Sequence, residues 1–284
     1  MSQHVSRTPG IAGLDHAVIA VRDLDAAQET FTRMGFSLAP RGLHSTASSN
    51  HNIMLGQDYF ELLQVPQTNP LQAYYHEFLR RQEGLAALAL TGTDLQAALP
   101  ALTREGFLPS TPLDFSRKVA SGSRTGTARF RLANLASDST PGALLFICQH
   151  FTRELVWLPE LQRHANGATG LAAVAFVAEK VAYLAGVYGR VFGAWPERID
   201  EGLKVETGSA PFAFCTRQSL QERLREVILP ERAAPHAAAL FIRVAERAVA
   251  GRVLREGGFS PKRMSDGSWA IDAPAAHGVA MVFG

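Results

Sequence analysis

The chain has 284 residues, 46% hydrophobic and 19% charged, a globular composition with too much apolar content for a disordered chain. Its formal net charge of +2 and its scattered arginines, such as Arg80-Arg81, Arg223 and Arg225, give no basic run interleaved with aromatics, so no nucleic-acid partner is expected. Two cysteines, Cys148 and Cys215, lie in apolar runs and make no disulfide framework, and neither a signal peptide nor a membrane-long apolar stretch is present, so a cytoplasmic protein is expected.

In chain order, residues 13–20 read Gly-Leu-Asp-His-Ala-Val-Ile-Ala, a strand apolar enough to be buried on both faces. Arg22-Asp23-Leu24-Asp25 opens an amphipathic helix with Asp23 or Asp25 as its N-cap, and Gly35 ends it. Strands are predicted over 36–39, 52–55 and 59–65, the last two joined by a tight turn at Gly56-Gln57-Asp58. The pattern restarts at Gly84-Leu85, with Asp94 placed to cap a helix, Gly106 to stop it, and strands over 128–132 and 143–148. A third copy starts at Gly170-Leu171, stops its helix at Gly193 and continues through strands 202–205 and 211–215. A fourth unit lacks the Gly-Leu start but keeps a strand over 238–244, a helix over 247–256, a stop at Gly257-Gly258, and strands 269–271 and 279–283. From Gly-Leu to the helix-ending glycine the interval agrees to within one residue in three copies, which four unrelated units would not produce.

A βαβββ unit repeated in pairs, opening with Leu14-Asp15-His16-Ala17-Val18 and followed by Val21-Arg22-Asp23-Leu24, resembles the vicinal oxygen chelate superfamily, and its first unit resembles the glyoxalase-like domains. Pro40-Arg41-Gly42, Asn50-His51, Tyr59-Phe60-Glu61-Leu62 and residues 164–168 carry the likeness. The resemblance implies an α+β fold of four βαβββ modules pairing into two cupped, barrel-like mixed sheets with helices outside. It divides the chain into an N-terminal lobe over 11–151, a connector over 152–169 and a C-terminal lobe over 170–284. It also implies a divalent metal in the cup, held by residues of the first and last strands, with a small substrate chelating it through adjacent oxygens.

On this sequence those ligand positions fall on His16 and Glu61, a donor pair suited to iron, manganese, nickel or zinc. The position of His16 is taken by Ala87, Ala173 and Ala239 in the other units, so the C-terminal lobe is expected to be degenerate. His150 is the expected third ligand, with His51 as the alternative. Glu61, a carboxylate among apolar neighbours, is costly to bury without a partner and doubles as the candidate catalytic acid or base. His51, Arg41, Tyr59, Trp157 and His164 are the candidate substrate contacts; His44 reads as a loop residue, and His236 and His277 are given no role. Cys148 reads as a core thiol.

The expected function is a metal-dependent enzyme of the lyase or isomerase type. A ring-cleaving dioxygenase with Fe(II) and a binding protein that has lost its metal are the alternatives. A small-molecule substrate is the expected partner, with no membrane, and the chain is expected to be a monomer or a homodimer.

Overall fold

The computed structural model describes residues 8–66, 72–121 and 124–284. The first half runs β1 (Ile11–Ala20), α1 (Leu24–Arg33), β2 (Gly42–Leu43), β3 (Ser49–Met54), β4 (Tyr59–Gln64), α2 (Ala73–Arg81), β5 (Gly84–Gly92), α3 (Leu95–Arg104), β6 (Leu113–Ser121), β7 (Arg124–Asn134) and β8 (Leu144–His150). The second runs β9 (Ala168–Val177), α4 (Val181–Phe192), β10 (Glu197–Ile199), β11 (Gly202–Val205), β12 (Phe212–Cys215), α5 (Arg217–Leu224), β13 (His236–Val244), α6 (Arg247–Glu256), β14 (Lys262–Arg263), β15 (Trp269–Ile271) and β16 (Ala280–Phe283).

Each half forms one eight-stranded mixed sheet, ordered β2-β3-β4-β1-β5-β8-β7-β6 and β10-β11-β12-β9-β13-β16-β15-β14. The connectivity is the same in both, and the four βαβββ modules and the α+β class are present as expected. Two short 3-10 turns, Arg153–Leu155 and Pro159–Gln162, join the halves, and β9 begins at Ala168, within the segment expected as a connector. No helix among the described residues is long and apolar enough to cross a membrane.

Local chemistry sets the element ends. Asp23, rather than Asp25, caps α1 by accepting from the amides of Asp25 and Ala26, and Asp94 caps α3 in the same way. The repeated Gly-Leu start has a packing cause. At Gly13 (φ +145°) a side chain would meet Ser209, whose hydroxyl binds both the amide and the carbonyl of Leu14, and at Gly84 (φ +136°) one would meet the carbonyl of Gly278. Each is a point where the other half's backbone comes too close for a Cβ.

Several elements differ from expectation. Residues 36–39 form no strand; Ser37 is held by His164 and Arg163, and Pro40, without an N–H, follows. β2 lies at Gly42–Leu43 instead. β6, a mostly polar run, and the helices α2 and α5 are elements that periodicity did not predict.

Alternation along the central strands divides the core. Ala17 and Ile19 of β1, and Val174 and Phe176 of β9, join one continuous apolar cluster with α1, α3, α4 and α6, so the two halves share a core. The opposite faces line the two cups. Here the expectation of helices outside needs correcting for α5: its Leu220 and Leu224 pack inside the second cup with Val227, Leu229, Ala175, Ala239 and Phe241. The first cup is nearly closed into a barrel, because an isolated bridge joins His44 to Arg117 across the edge strands β2 and β6.

Candidate functional site

The first cup encloses a cavity of about 360 Å³ whose lining includes His16, His44, Asn50, Tyr59, Glu61 and Arg117. Each arrives by a backbone device. Between Leu14, opposite Leu90, and His16, opposite Ala89, strand β1 carries one extra residue, Asp15. Such a bulge re-aims side chains beside it. It allows the Asp15 carboxylate to reach the ring of its own neighbour, with His16 Nδ1 at 2.7 Å from Asp15 Oδ1. Glu61 stands opposite Val18 on β4, and Asn50 and Asn52 share the cup-facing side of β3. His44 and Arg117 are brought in by the bridge that closes the barrel.

These residues form a buried polar chain. Asn50 donates through Nδ2 to Glu61 Oε1 and, at 3.0 Å, to Asn52 Oδ1. His16 Nε2 stands 3.7 Å from Glu61 Oε2, and His44 Nε2 stands 3.9 Å from Glu61 Oε1. The other ring nitrogens are occupied: His16 Nδ1 donates to Asp15, and His44 Nδ1 is hydrogen-bonded to Ser48 Oγ at 2.8 Å. Tyr59 stacks on the His16 ring at 4.3 Å between centroids. Burial pushes the imidazole of His44 below its usual pKa, against the pull of Glu61.

Asp15 is fully buried. Burial alone would raise its carboxyl, but hydrogen bonds from His150 and His16 outweigh that and hold it well below the usual carboxylate range. It is therefore a fixed negative charge behind His16, also approached by Thr91 Oγ1 at 3.3 Å.

His16 and Glu61 are one donor pair that could serve a metal. With Nδ1 donating to Asp15, His16 presents its Nε2 to Glu61 Oε2 at 3.7 Å. A divalent ion with bonds of roughly 2.0–2.2 Å holds neighbouring ligand atoms about 3.0–3.6 Å apart, which the His16–Glu61 separation of 3.7 Å approaches. A carboxylate behind a metal-binding histidine is the usual support for such a ligand.

Among the described residues, the group of three donors whose ligand atoms all lie within 4.8 Å of one another is Asp15, Cys148 and His150. Asp15 is hydrogen-bonded to His16 and His150, burial pushes the Cys148 thiol well above its ordinary pKa, and the Nδ1 of His150 is buried without a hydrogen-bond partner.

Of the residues expected from sequence, the structure brings His16, Glu61 and Tyr59 together. His150, the expected third ligand, donates from Nε2 to Asp15 at 3.2 Å, and its Nδ1 is buried without a hydrogen-bond partner. His51 points from the other side of β3, with Nδ1 on the carbonyl of Ala39. Arg41 pairs with Asp25 and lines a groove outside the cavity. Trp157 packs edge-on against Tyr59 and His150, under the guanidinium of Arg153. His164 clips the connector to the first module, accepting from the Ser37 amide and donating to the carbonyl of Met54.

His44 is the main correction: the residue expected in a loop lies in the cavity. Asp15, Asn50, Asn52 and Arg117 also belong to the site without having been assigned to it. Alternation along β3 could have found the two asparagines. Nothing in the sequence pairs His44 with Arg117.

A family model described as "Glyoxalase-like domain" matches residues 14–192. No curated protein matches the sequence. Among solved structures, the chain is similar to a hypothetical protein from Staphylococcus aureus, with a TM-score of 0.67 at 14% identity, covering 95% of this chain and 98% of that one. It is similar to a mutant of 4-hydroxymandelate synthase from Streptomyces coelicolor, with a TM-score of 0.61 at 13% identity, covering 96% and 92% of the two chains. A third likeness is to a xylose isomerase-like TIM barrel/4-hydroxyphenylpyruvate dioxygenase fusion protein, with a TM-score of 0.58 at 16% identity, covering all of this chain but 51% of that one. At these identities the likeness is one of fold.

Proposed function

The chain belongs to the glyoxalase-like domain family, and from that premise we propose that it is a metal-dependent enzyme of the lyase or isomerase type acting on a small molecule with adjacent oxygens. The observation that carries this reading is the placement of two imidazole nitrogens against the two oxygens of one buried carboxylate, at 3.7 and 3.9 Å, with both remaining ring nitrogens tied off. His16 and Glu61 would hold the ion, with His44 facing the carboxylate's other oxygen. A bound divalent ion supplies Lewis acidity towards a substrate oxygen.

The chain's own residues do the rest. Asp15 fixes the tautomer and orientation of His16, and Tyr59 holds the ring flat against its own. Asn50 orients Glu61 and leaves Oε2 facing His16. Phe130, Phe146 and Leu144 form an apolar wall that excludes water around the polar cluster. Glu61, the carboxylate in that cavity, is also the group placed to accept or return a proton.

One other reading has specific support. Two histidines and one carboxylate are also the donor types of non-haem iron oxygenases, so a ring-cleaving dioxygenase could draw on the same residue types.

Elemental analysis of protein purified without chelators or an affinity metal tests the proposal. One transition-metal ion per chain is expected, absent from His16→Ala and Glu61→Ala proteins that remain folded. Oxygen uptake with catechols by the iron-loaded protein would favour the dioxygenase over the isomerase. A protein that takes up no metal even on reconstitution would leave a metal-free binding protein as the reading.

A further inference from the structure

Arg117 is buried, 8% exposed, yet no ion pair or side-chain hydrogen bond engages its guanidinium among the described residues. It lies on β6 and lines the cavity of the first cup. Glu61, the carboxylate of that cavity, is already engaged by Asn50 and faced by both histidines, and it forms no ion pair with Arg117. Gly42, on the neighbouring β2, lies where a Cβ would meet Asn50 Oδ1 at 2.4 Å and the Arg117 side chain at 3.2 Å.

A buried guanidinium without a counter-charge is expensive, because it gives up water and gains no partner. A deprotonation escape, open to lysine, is closed to arginine. The remaining way to balance the charge is a ligand. The rest of the wall says what else that ligand carries: Phe115, Phe130, Leu113 and Leu132 face the same space. Phe115 and Phe130 stack on each other with centroids 4.7 Å apart, in the same cavity lining as Arg117.

We infer that Arg117 is the anion-binding residue of this cavity and that its ligand is a small organic carboxylate with an apolar, preferably aromatic, body. The inference rests on reading this cavity as the substrate site and names the substrate's class. It does not depend on the metal, since the counter-charge is missing at Arg117 whatever Glu61 holds.

Calorimetric titration of the intact protein, with its metal content measured, tests it using benzoate, phenylacetate and 3-phenylpropionate against their neutral amides. At least one acid is expected to bind, with its amide about tenfold or more weaker. Arg117→Gln is expected to remove that discrimination while leaving metal content and the amide's weak binding unchanged, and Arg117→Lys to restore part of it. Equal binding of acid and amide, unchanged discrimination in Arg117→Gln, or no binding of any acid at millimolar concentration overturns the inference. The wild-type comparison decides even if both variants misfold. Loss of metal in His16→Ala with acid discrimination intact would separate this subsite from the metal reading; discrimination without any metal in the wild type would sink that reading and spare this one.

Discussion

The two cups share strand order and register but not contents. Val18 of β1 stands opposite Glu61, and the matching Ala175 of β9 stands opposite Ala213. Even the bulge is kept: Leu171 and Ala173 face consecutive residues of β13, leaving Ala172 as the extra residue where the first cup has Asp15. The trio Asp15, His16 and Glu61 is therefore replaced by three alanines. Their removal is matched by what fills the space. Leu220, Leu224, Val227 and Leu229, from α5 and the segment after it, occupy the second cup as an apolar plug. The first cup instead keeps a cavity and closes its edges through His44 and Arg117. One scaffold thus yields a packed core or a polar chamber, depending on whether its own chain fills the cup. Buried polar groups persist only where they satisfy one another or await a ligand.

The largest effect expected from breaking this contrast is at the metal. Glu61→Ala and His16→Ala should reduce metal content to background, whereas His236→Gln in the second half should leave it unchanged. Retained metal in both first-cup variants would move the site elsewhere.

Next in size is the plug. Leu224→Ala removes a fully buried side chain from the second cup and should cost about 2–5 kcal/mol in urea unfolding with metal content unchanged. A loss below about 1 kcal/mol would mean that the second cup collapses around the gap.

Asp15→Asn keeps the shape of the first cup but removes the charge behind His16, and should weaken metal affinity about 10–100-fold. His150→Ala, which touches that charge from the other partner, should weaken it less. If His150→Ala instead abolishes binding, His150 is a ligand and His44 is not.

The smallest effect concerns the join between halves, where Asp58 accepts from the amide of Leu171 at 2.9 Å. Burial raises the Asp58 carboxyl to about 6, against the lowering by that hydrogen bond. The folded protein holds this proton more tightly than the unfolded chain. The stabilising contribution is therefore full below about pH 4 and lost as pH rises through about 6. Asp58→Asn keeps an acceptor for Leu171 and cannot ionise, so it should raise stability near pH 8 by about 1–3 kcal/mol and flatten the pH dependence between 4 and 6. A destabilised variant at pH 8, with the slope intact, would show that the carboxylate itself is needed at the join.

By itself the sequence determined the modules, because they are written in short-range signals: apolar runs, aspartate caps at Asp23 and Asp94, and the repeated Gly-Leu. Through the family resemblance it also pointed to His16 and Glu61, which the structure places 3.7 Å apart, and to Ala173 as the residue standing at the position of His16 in the C-terminal cup. The tertiary structure decided the rest. His44 and Arg117 meet only because the sheet closes on itself, and a bridge between distant edge strands leaves no periodic trace. Asp15 turns towards His16 only because of a bulge, whose position depends on pairing with β5 rather than on β1's own residues. Polar β6 and the plug of the second cup escaped periodicity for the same reason: their place is set by what surrounds them, and solvent-facing and cavity-facing polar residues look alike until the cavity exists.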